Sequence, residues 1–414
     1  MPQFRGALRS YPLMQKLGRI IWLAPDRFDM KPDKSTWLEM GQCLRECGWT
    51  VTILTGRSAA GAQTDANFGG LVEWVEAVDL PFVFRISLMR SMLRWLKRNA
   101  GPDDIVMMNE DALWLVPALR RMGIRFVHLD FRTLPVDIHR WKKRLDWILF
   151  WRLAIKRFGR KVDGYSFITE RLRNEVETEF SLGARDYVIW HSGVNLERFH
   201  ANAFHRQSAM HPFRLFYHGS ISRTRGLGLV IQAIALGGLP SDFEFVIVGD
   251  GPERKDLELQ ASSLGVARQV RFRGFVPYER VVHEIAEADV CICPLPDRLE
   301  WNVSSPLKVF EYMACSKPMI LTPIPAHEDV VGGSRFVVWT QGFEPKDFRD
   351  AILQAVARRD DLKVAAAGAP DVIKGRYEWC AQANNLHRYL ASRVGQTPLV
   401  DRETSPQTYA EAEA

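Results

Sequence analysis

The chain lacks what a membrane-spanning, a disulfide-framed or a zinc-binding protein needs. Across 414 residues no run of 18 or more apolar residues occurs, so nothing in it predicts a bilayer-spanning helix. The first 20 residues hold four Lys/Arg and no continuous apolar stretch, which argues against a secretory signal. The six cysteines are Cys43, Cys47, Cys291, Cys293, Cys315 and Cys380, and no CxxC pair is formed. This usage predicts reduced, buried thiols of the cytosol rather than a disulfide framework or a zinc site. No D-x-D sequence is found either, so a dedicated metal site is not expected.

What is present is ordinary for a water-exposed globular chain: 47% hydrophobic and 25% charged residues. The length is too great for one typical core and predicts two domains. The net charge of +6 is unevenly spread. Residues 1–200 carry 31 Lys/Arg against 23 Asp/Glu, a surplus of +8, and the remainder carries −2. That asymmetry points to an anionic partner for the first half, either nucleic acid or an anionic membrane face.

Strand-like and helix-like segments alternate along both halves. IIWLA (20–24), TVTIL (50–54), DDIVMMN (103–109), IRFVHLD (124–130) and GYSFITE (164–170) read as strands in the first half. A polar stretch at 200–212 marks a boundary. FRLFYHGS (213–220), FEFVIVGDG (243–251), VRFRGFV (270–276), VCICPL (290–295), KPMILTP (317–323) and RFVVWT (335–340) are the strands of the second half, with helices between. Alternation of this kind makes parallel sheets. The expected class is therefore α/β, two doubly wound Rossmann-like domains, with ligands at the carboxyl ends of the strands. The expected divisions are 1–205, 206–375, a closing helix at 376–395 and a disordered polar tail at 396–414.

In the second half the strand ends carry chemistry-bearing residues. Gly219 ends one strand, and Arg223 and Arg225 follow it. Gly249 and Gly251 end the next, and Phe275 and Val276 close a third. After the fourth come Ser304, Ser305 and Pro306, and a helix that carries Lys308 and Glu311. Ser is a favoured N-cap and Pro suits the first turn. Such a helix mouth draws anions through unpaired N–H groups and the helix dipole. Together these residues read as a nucleotide site: backbone at 275–276 for the base, Glu311 for a ribose, Arg225 and Lys308 for a diphosphate.

Here the chain resembles a known family. Gly219 to Leu227 matches G-x-x-x-x-x-[KR]-G-L, and VGDGPERKDLELQASSLGV, VRFRGFVPYERV, SSPLKVFEYMACSKPMI and WHSGVNLERF follow or precede it in family order. These segments resemble the donor-binding half of the retaining GT-B glycosyltransferases of group 1. The resemblance implies two Rossmann-like domains facing a central cleft, with a C-terminal helix returning to the first. It implies transfer of a sugar from a UDP- or GDP-linked donor with retention at the anomeric carbon, without a metal or other cofactor. The leaving diphosphate would be stabilised by Arg225, Lys308 and the helix start at Ser304/Ser305. Asp130, at the end of its strand, is the favoured acceptor base; His128, Glu110 and Asp111 are the other candidates.

The chain also departs from the family. Ser220 stands where Arg is frequent. The first of two glutamates eight residues apart is replaced by Val303, with Glu300 nearby. The usual Gly-Gly loop after the first strand is replaced by APDRFDMKPDK, where Lys31 or Lys34 would supply charge. A degenerate, non-catalytic relative is the reading these changes permit.

A second segment is distinctive. IHRWKKRLDWILFWRLAIKRFGRKV (138–162) holds nine Lys/Arg and one Asp, interleaved with Trp141, Trp147, Phe150, Trp151 and Phe158. Its apolar centre is too short to span a bilayer, but Trp beside Lys/Arg suits the headgroup zone. The expectation is a peripheral protein on the inner face of the cytoplasmic membrane, with a glycan or polyprenyl-diphosphate-linked saccharide as acceptor. Base stacking on the same aromatics is the competing nucleic-acid reading.

Overall fold

The computed structural model describes residues 17–28, 34–57, 68–78, 80, 83–136, 144–145, 147–200 and 212–395. In the first half, apolar runs form β1 (Gly18–Arg27), β2 (Trp49–Gly56), β3 (Val72–Val75), β4 (Ile105–Met108), β5 (Phe126–Phe131), β6 (Gly164–Phe167) and β7 (Tyr187–Ile189). They pair in the order β3-β2-β1-β4-β5-β6-β7, every pair parallel. β1, β4, β5 and β6 are buried on both faces, which is why their sequences read as unbroken apolar runs rather than alternation.

The second half builds β8 (Arg214–His218), β9 (Glu244–Val248), β10 (Val270–Gly274), β11 (Val290–Cys293), β12 (Met319–Leu321) and β13 (Val337–Trp339). Their order is β10-β9-β8-β11-β12-β13, again parallel. Each sheet therefore reverses its winding once, between β1 and β4 and between β8 and β11. A crevice opens outside the carboxyl ends of the strands at such a reversal. Both candidate binding regions lie at these two points.

Each sheet is covered on both faces by apolar side chains. The helix Trp379–Arg393 leaves the second half and packs on the first, its Trp379, Ala383, Leu386 and Leu390 joining Trp22, Trp37 and Met40 in one core. There it meets the helix Lys34–Glu46.

That return corrects one expectation. Cys43 and Cys380 are joined in a disulfide across 337 residues of sequence. The other four cysteines are free thiols, three of them buried. No local spacing signals the bond, because only the returning helix brings the two residues together. A bridge closing so long a loop contributes typically about 2–4 kcal/mol. Reduction with dithiothreitol is therefore expected to lower the urea midpoint of the wild type and to leave that of Cys380→Ser unchanged. Equal midpoints for oxidised and reduced wild type would contradict this.

Residues 201–211, which include most of the expected boundary stretch, and the tail 396–414 lie outside the described residues, as does Lys31.

Candidate active site

The crevice of the second sheet is built from glycine turns that interlock. The Gly219 N–H donates to Val248 O at 2.9 Å, Gly249 N–H to Gly274 O at 2.8 Å, and Ile221 N–H to Asp250 O at 3.0 Å. Gly249 has φ +130°, and a Cβ there would overlap the Gly219 carbonyl oxygen. A Cβ on Gly226, at φ +75°, would overlap the carbonyl oxygen of Pro294. Only glycine fits either place. Gly251 abuts Ile221 in the same way. The reward is a floor of bare backbone beside two cations.

Lys308 lies over Gly219, whose Cβ would come within 3.0 Å of the ammonium nitrogen. The ammonium has the Tyr217 ring 5.2 Å away and no salt bridge among the described residues, although the charge of Glu311 acts on it. Burial, then the charge of Arg225, lowers its pKa to about 8. Arg225 stacks on Trp301 at 4.2 Å, and its buried Nε lacks a hydrogen-bond partner. Two cations close together, neither in a salt bridge among the described residues, form a site poised for a polyanion. The sign of the pH dependence follows. Lys308 is charged below about pH 8 and loses its charge above it. Affinity for a nucleoside diphosphate is expected to fall as pH rises from 7 to 9, with a midpoint moved upward by the bound anion. A flat calorimetric profile over that range would contradict it.

The helix itself differs from expectation. It spans Leu307–Ala314 and its N-cap is Pro306, with no side-chain cap. Ser304 Oγ donates to Trp301 O at 2.7 Å. Ser305 Oγ accepts from Ser192 N at 3.0 Å, and Ser192 Oγ donates to Ser305 O at 2.9 Å. The two serines therefore serve the loop and the contact with the first half, and the free N–H groups begin with Leu307. Val303 is 2% exposed and belongs to the core of the first sheet, while Thr169 Oγ1 donates to its carbonyl at 2.6 Å. Where the family often places a sugar-contacting glutamate, this chain has an apolar plug between domains. Glu300 is held by Arg298 at 2.8 Å.

Glu311 is also placed differently. Its residue is fully buried. Tyr278 OH donates to Oε1 at 2.9 Å, and His218 Nε2 lies 3.0 Å from Oε2. In this structure it ties β8 and the first residue of the helix Tyr278–Ala286 to the helix Leu307–Ala314. Phe275 is 76% exposed and Val276 half-buried, so the rim expected to meet a base is open. Arg223 stands at the outer edge, 81% exposed and paired with Glu253 at 3.2 Å.

Asp130 requires a correction. It is 1% exposed. Its Oδ1 accepts from Ser166 Oγ at 2.6 Å and from Trp190 Nε1 at 3.0 Å, and His128 Nε2 lies 2.8 Å from the same serine. Burial holds His128 neutral, near pKa 3. This buried chain ties the Asp130 carboxylate to the Trp190 indole and closes it to solvent, where an open strand end was expected. Glu110 is 7% exposed, and burial, then Asp111, raises its carboxyl to about 8.

The basic aromatic segment is described from Trp147 and at 144–145; Trp141 lies outside the described residues. Trp151 and Phe158 are buried in the first core, so they are not free to stack on bases. Leu145, Ile148, Leu149 and Leu153 are the exposed apolar residues, and Trp114 Nε1 donates to Leu149 O at 3.1 Å. No helix among the described residues is long and apolar enough to cross a membrane. Among the described residues one trio of possible metal ligands is grouped, Cys43, Glu46 and Cys380, and two of these form the disulfide.

Two parallel-sheet domains with facing crevices define the GT-B class of fold. Comparison with known proteins agrees. Residues 212–358 match the family described as glycosyl transferases group 1, and residues 35–198 match glycosyltransferase family 4. The chain belongs to the group 1 glycosyltransferases. Among curated relatives, D-inositol 3-phosphate glycosyltransferase of Corynebacterium jeikeium (strain K411) is 28% identical over 188 residues, 43% of each chain. The 2-deoxystreptamine glucosyltransferase of Streptomyces kanamyceticus is 26% identical over 151 residues, 34% of this chain and 39% of that one. The chain thus spans less than half the length of these relatives. Among solved structures, sucrose-phosphate synthase from Thermosynechococcus elongatus aligns with TM-score 0.75 at 16% identity, covering 91% of this chain and 99% of that one. HepE of Anabaena in complex with UDP and glucose aligns with TM-score 0.66 at 16% identity, covering 90% and 99%. At that identity the likeness is one of fold.

Proposed function

We propose that the protein transfers a hexose from a UDP- or GDP-sugar to a glycan or lipid-linked saccharide, as a step in polysaccharide biosynthesis. The observation that carries this reading is the pair of adjacent cations, Lys308 and Arg225, over the glycine floor of the second crevice. Negative charge grows on the diphosphate as the glycosidic bond breaks. Cations already desolvated and held in place stabilise that charge most in the transition state. They supply the positive charge a metal would otherwise provide, so the proposed reaction needs no metal ion. The N–H groups at the start of Leu307–Ala314 add to the same field. Retention of configuration follows from the class the motifs resemble.

The acceptor belongs to the first half, whose crevice faces the donor. Exposed Leu145, Ile148, Leu149 and Leu153 beside Arg152, Lys156 and Arg157 suit the cytoplasmic headgroup zone, where a lipid-linked acceptor is presented. Cosedimentation with anionic vesicles should fall as salt rises; binding indifferent to salt and lipid charge argues against it.

The test of the reaction is a panel of UDP- and GDP-sugars followed by proton NMR. One donor is expected to be hydrolysed slowly, releasing the sugar initially with the donor's anomeric configuration. Turnover of none, with or without added saccharides, contradicts the proposal.

A further inference from the structure

The returning helix Trp379–Arg393 brings together ligand-type side chains that no local spacing pairs. Cys43 and Glu46 lie three residues apart on the helix Lys34–Glu46, so they share one side of it. Cys380 is the second residue of the returning helix. One sulfur from each cysteine and one carboxylate oxygen of Glu46 all lie within 4.8 Å of one another, where the two helices meet. Cys43 is buried, whereas Glu46 and Cys380 are exposed, so the group has a closed floor and an open mouth. Trp37, Met40 and Leu44 of one helix share a core with Trp379, Ala383 and Leu386 of the other. Packing as well as the sulfur–sulfur bond therefore holds the three side chains together.

One contact here does not belong to a disulfide as such. Cys380 Sγ lies 3.6 Å from Glu46 Oε2. A disulfide sulfur has no hydrogen to donate, so in the oxidised chain this contact is not a hydrogen bond. Two ligands of one tetrahedral zinc ion, with Zn–S about 2.3 Å and Zn–O about 2.0–2.2 Å, stand about 3.5–3.7 Å apart. The observed separation is that of such a ligand pair. The other carboxylate oxygen accepts from Gln42 Nε2 at 3.4 Å, one turn back on the same helix, which orients the group. Two thiolates and a carboxylate are donors that zinc takes, and the open mouth leaves its fourth place to water. The first turn of the returning helix adds positive potential, which favours negative ligands at Cys380. Cys47 is outside this group: its Sγ lies 3.4 Å from Asn384 Oδ1.

We propose that, once the Cys43–Cys380 bond is reduced, Cys43, Cys380 and Glu46 bind one borderline-soft divalent ion of the zinc type, so that the two helices are clasped by a disulfide under oxidising conditions and by a metal under reducing ones. A dithiol reductant gives two electrons and two protons to the bond and is itself oxidised to a disulfide. Two thiols are left, and the ion displaces both of their protons. The sulfurs then move apart to about 3.8 Å, the edge of a tetrahedral site. Either clasp closes the same loop between the first half and the end of the chain, and the binding energy of the ion adds to the stability of the fold. This gives the two cysteines a use in the reduced state that their composition predicts. The inference does not depend on the transferase reading.

Titration of cobalt(II) into the full chain without oxygen tests it, on oxidised protein and on protein reduced with a phosphine. The reduced wild type is expected to bind one ion per chain. Thiolate-to-cobalt charge-transfer absorption and the strong visible bands of a tetrahedral ion should appear and be bleached by zinc. The oxidised wild type and reduced Cys380→Ser should show neither. Glu46→Gln should weaken binding about tenfold or more, since partners outside the ligand shell alone are worth about 10–100-fold, and Cys47→Ser should change nothing. Glu46 and Cys380 are exposed, so their variants are expected to fold. Zinc should also raise the urea midpoint of the reduced wild type and leave that of Cys380→Ser where it was. No tetrahedral cobalt spectrum in the reduced wild type overturns the inference. So does equal binding by oxidised protein or by Cys380→Ser, or a spectrum lost in Cys47→Ser and kept in Cys380→Ser.

Discussion

Replacing Lys308 by alanine is expected to lower kcat/KM for the donor by about a hundred- to a thousandfold, the loss seen when one preorganised charge-stabilising group is removed from an active site. The ammonium makes no salt bridge among the described residues, and burial lowers its pKa more than the charge of Glu311 raises it, so the protein should fold about as well as wild type. Removing a partly buried charge relieves its desolvation cost in the unliganded protein. The combination is diagnostic: catalysis collapses while the thermal midpoint holds or rises. Arg225→Ala should act in the same direction, and the double variant should lose less than the sum, because both groups face one diphosphate. Steady-state kinetics with the donor found in the panel, together with thermal melts, checks all three. A Lys308→Ala enzyme with near-wild-type kcat/KM would remove the diphosphate role from this residue.

The second large effect concerns Val303. Restoring the glutamate that the family often carries at this position is expected to damage the protein instead of improving it. Val303 is inserted into the core of the first sheet, and its carbonyl is held by Thr169. A carboxylate there would be buried among the apolar side chains of that core. Val303→Glu is therefore expected to destabilise by about 3–5 kcal/mol, the scale of an uncompensated buried charge. Val303→Ala, which leaves only a small cavity, should cost less, about 1–3 kcal/mol. Urea denaturation of the three proteins distinguishes a plug from a sugar contact. If Val303→Glu is as stable as wild type and gains activity, the side chain faces the donor and the plug account is wrong.

These two predictions lie on different sides of what could be read from residues alone. The strands of both sheets were legible because a strand buried on both faces leaves a continuous apolar run, as in IIWLA and VCICPL. The turns at Gly219, Gly249 and Gly274 were legible because positive φ favours glycine, and at Gly249 the Gly219 backbone leaves no room for a Cβ. Lys308 and Arg225 were legible as cations at strand ends. The short β3 was not singled out: it is only four residues, VEWV, and lies at the sheet edge.

What could not be read is whatever depends on partners far away in sequence. Asp130 looked open because nothing near it in sequence reveals Ser166, 36 residues on, or Trp190, 60 residues on, which bury it. Glu311 looked free because Tyr278 reaches it from 33 residues upstream. Ser304 and Ser305 looked like caps, yet the adjoining domain takes Ser305 through Ser192 and the helix starts after Pro306. The cavity of about 90 Å³ at the winding reversal of the first sheet left the faintest trace. Its tryptophans are scattered at 22, 37 and 190 and converge only because β1, the end of β7 and the helix Lys34–Glu46 converge. The available signal was a tryptophan inside the first strand and another directly after the last one of the same sheet.

The central claim is that the second crevice binds a nucleoside diphosphate through Lys308. Calorimetric titration of UDP and of GDP into wild type and Lys308→Ala at pH 7 and low salt tests it most directly. The account predicts one-to-one binding of at least one of the two nucleotides to wild type, weakened at least tenfold in the variant. Binding of neither nucleotide, or equal affinity for both proteins, would contradict it.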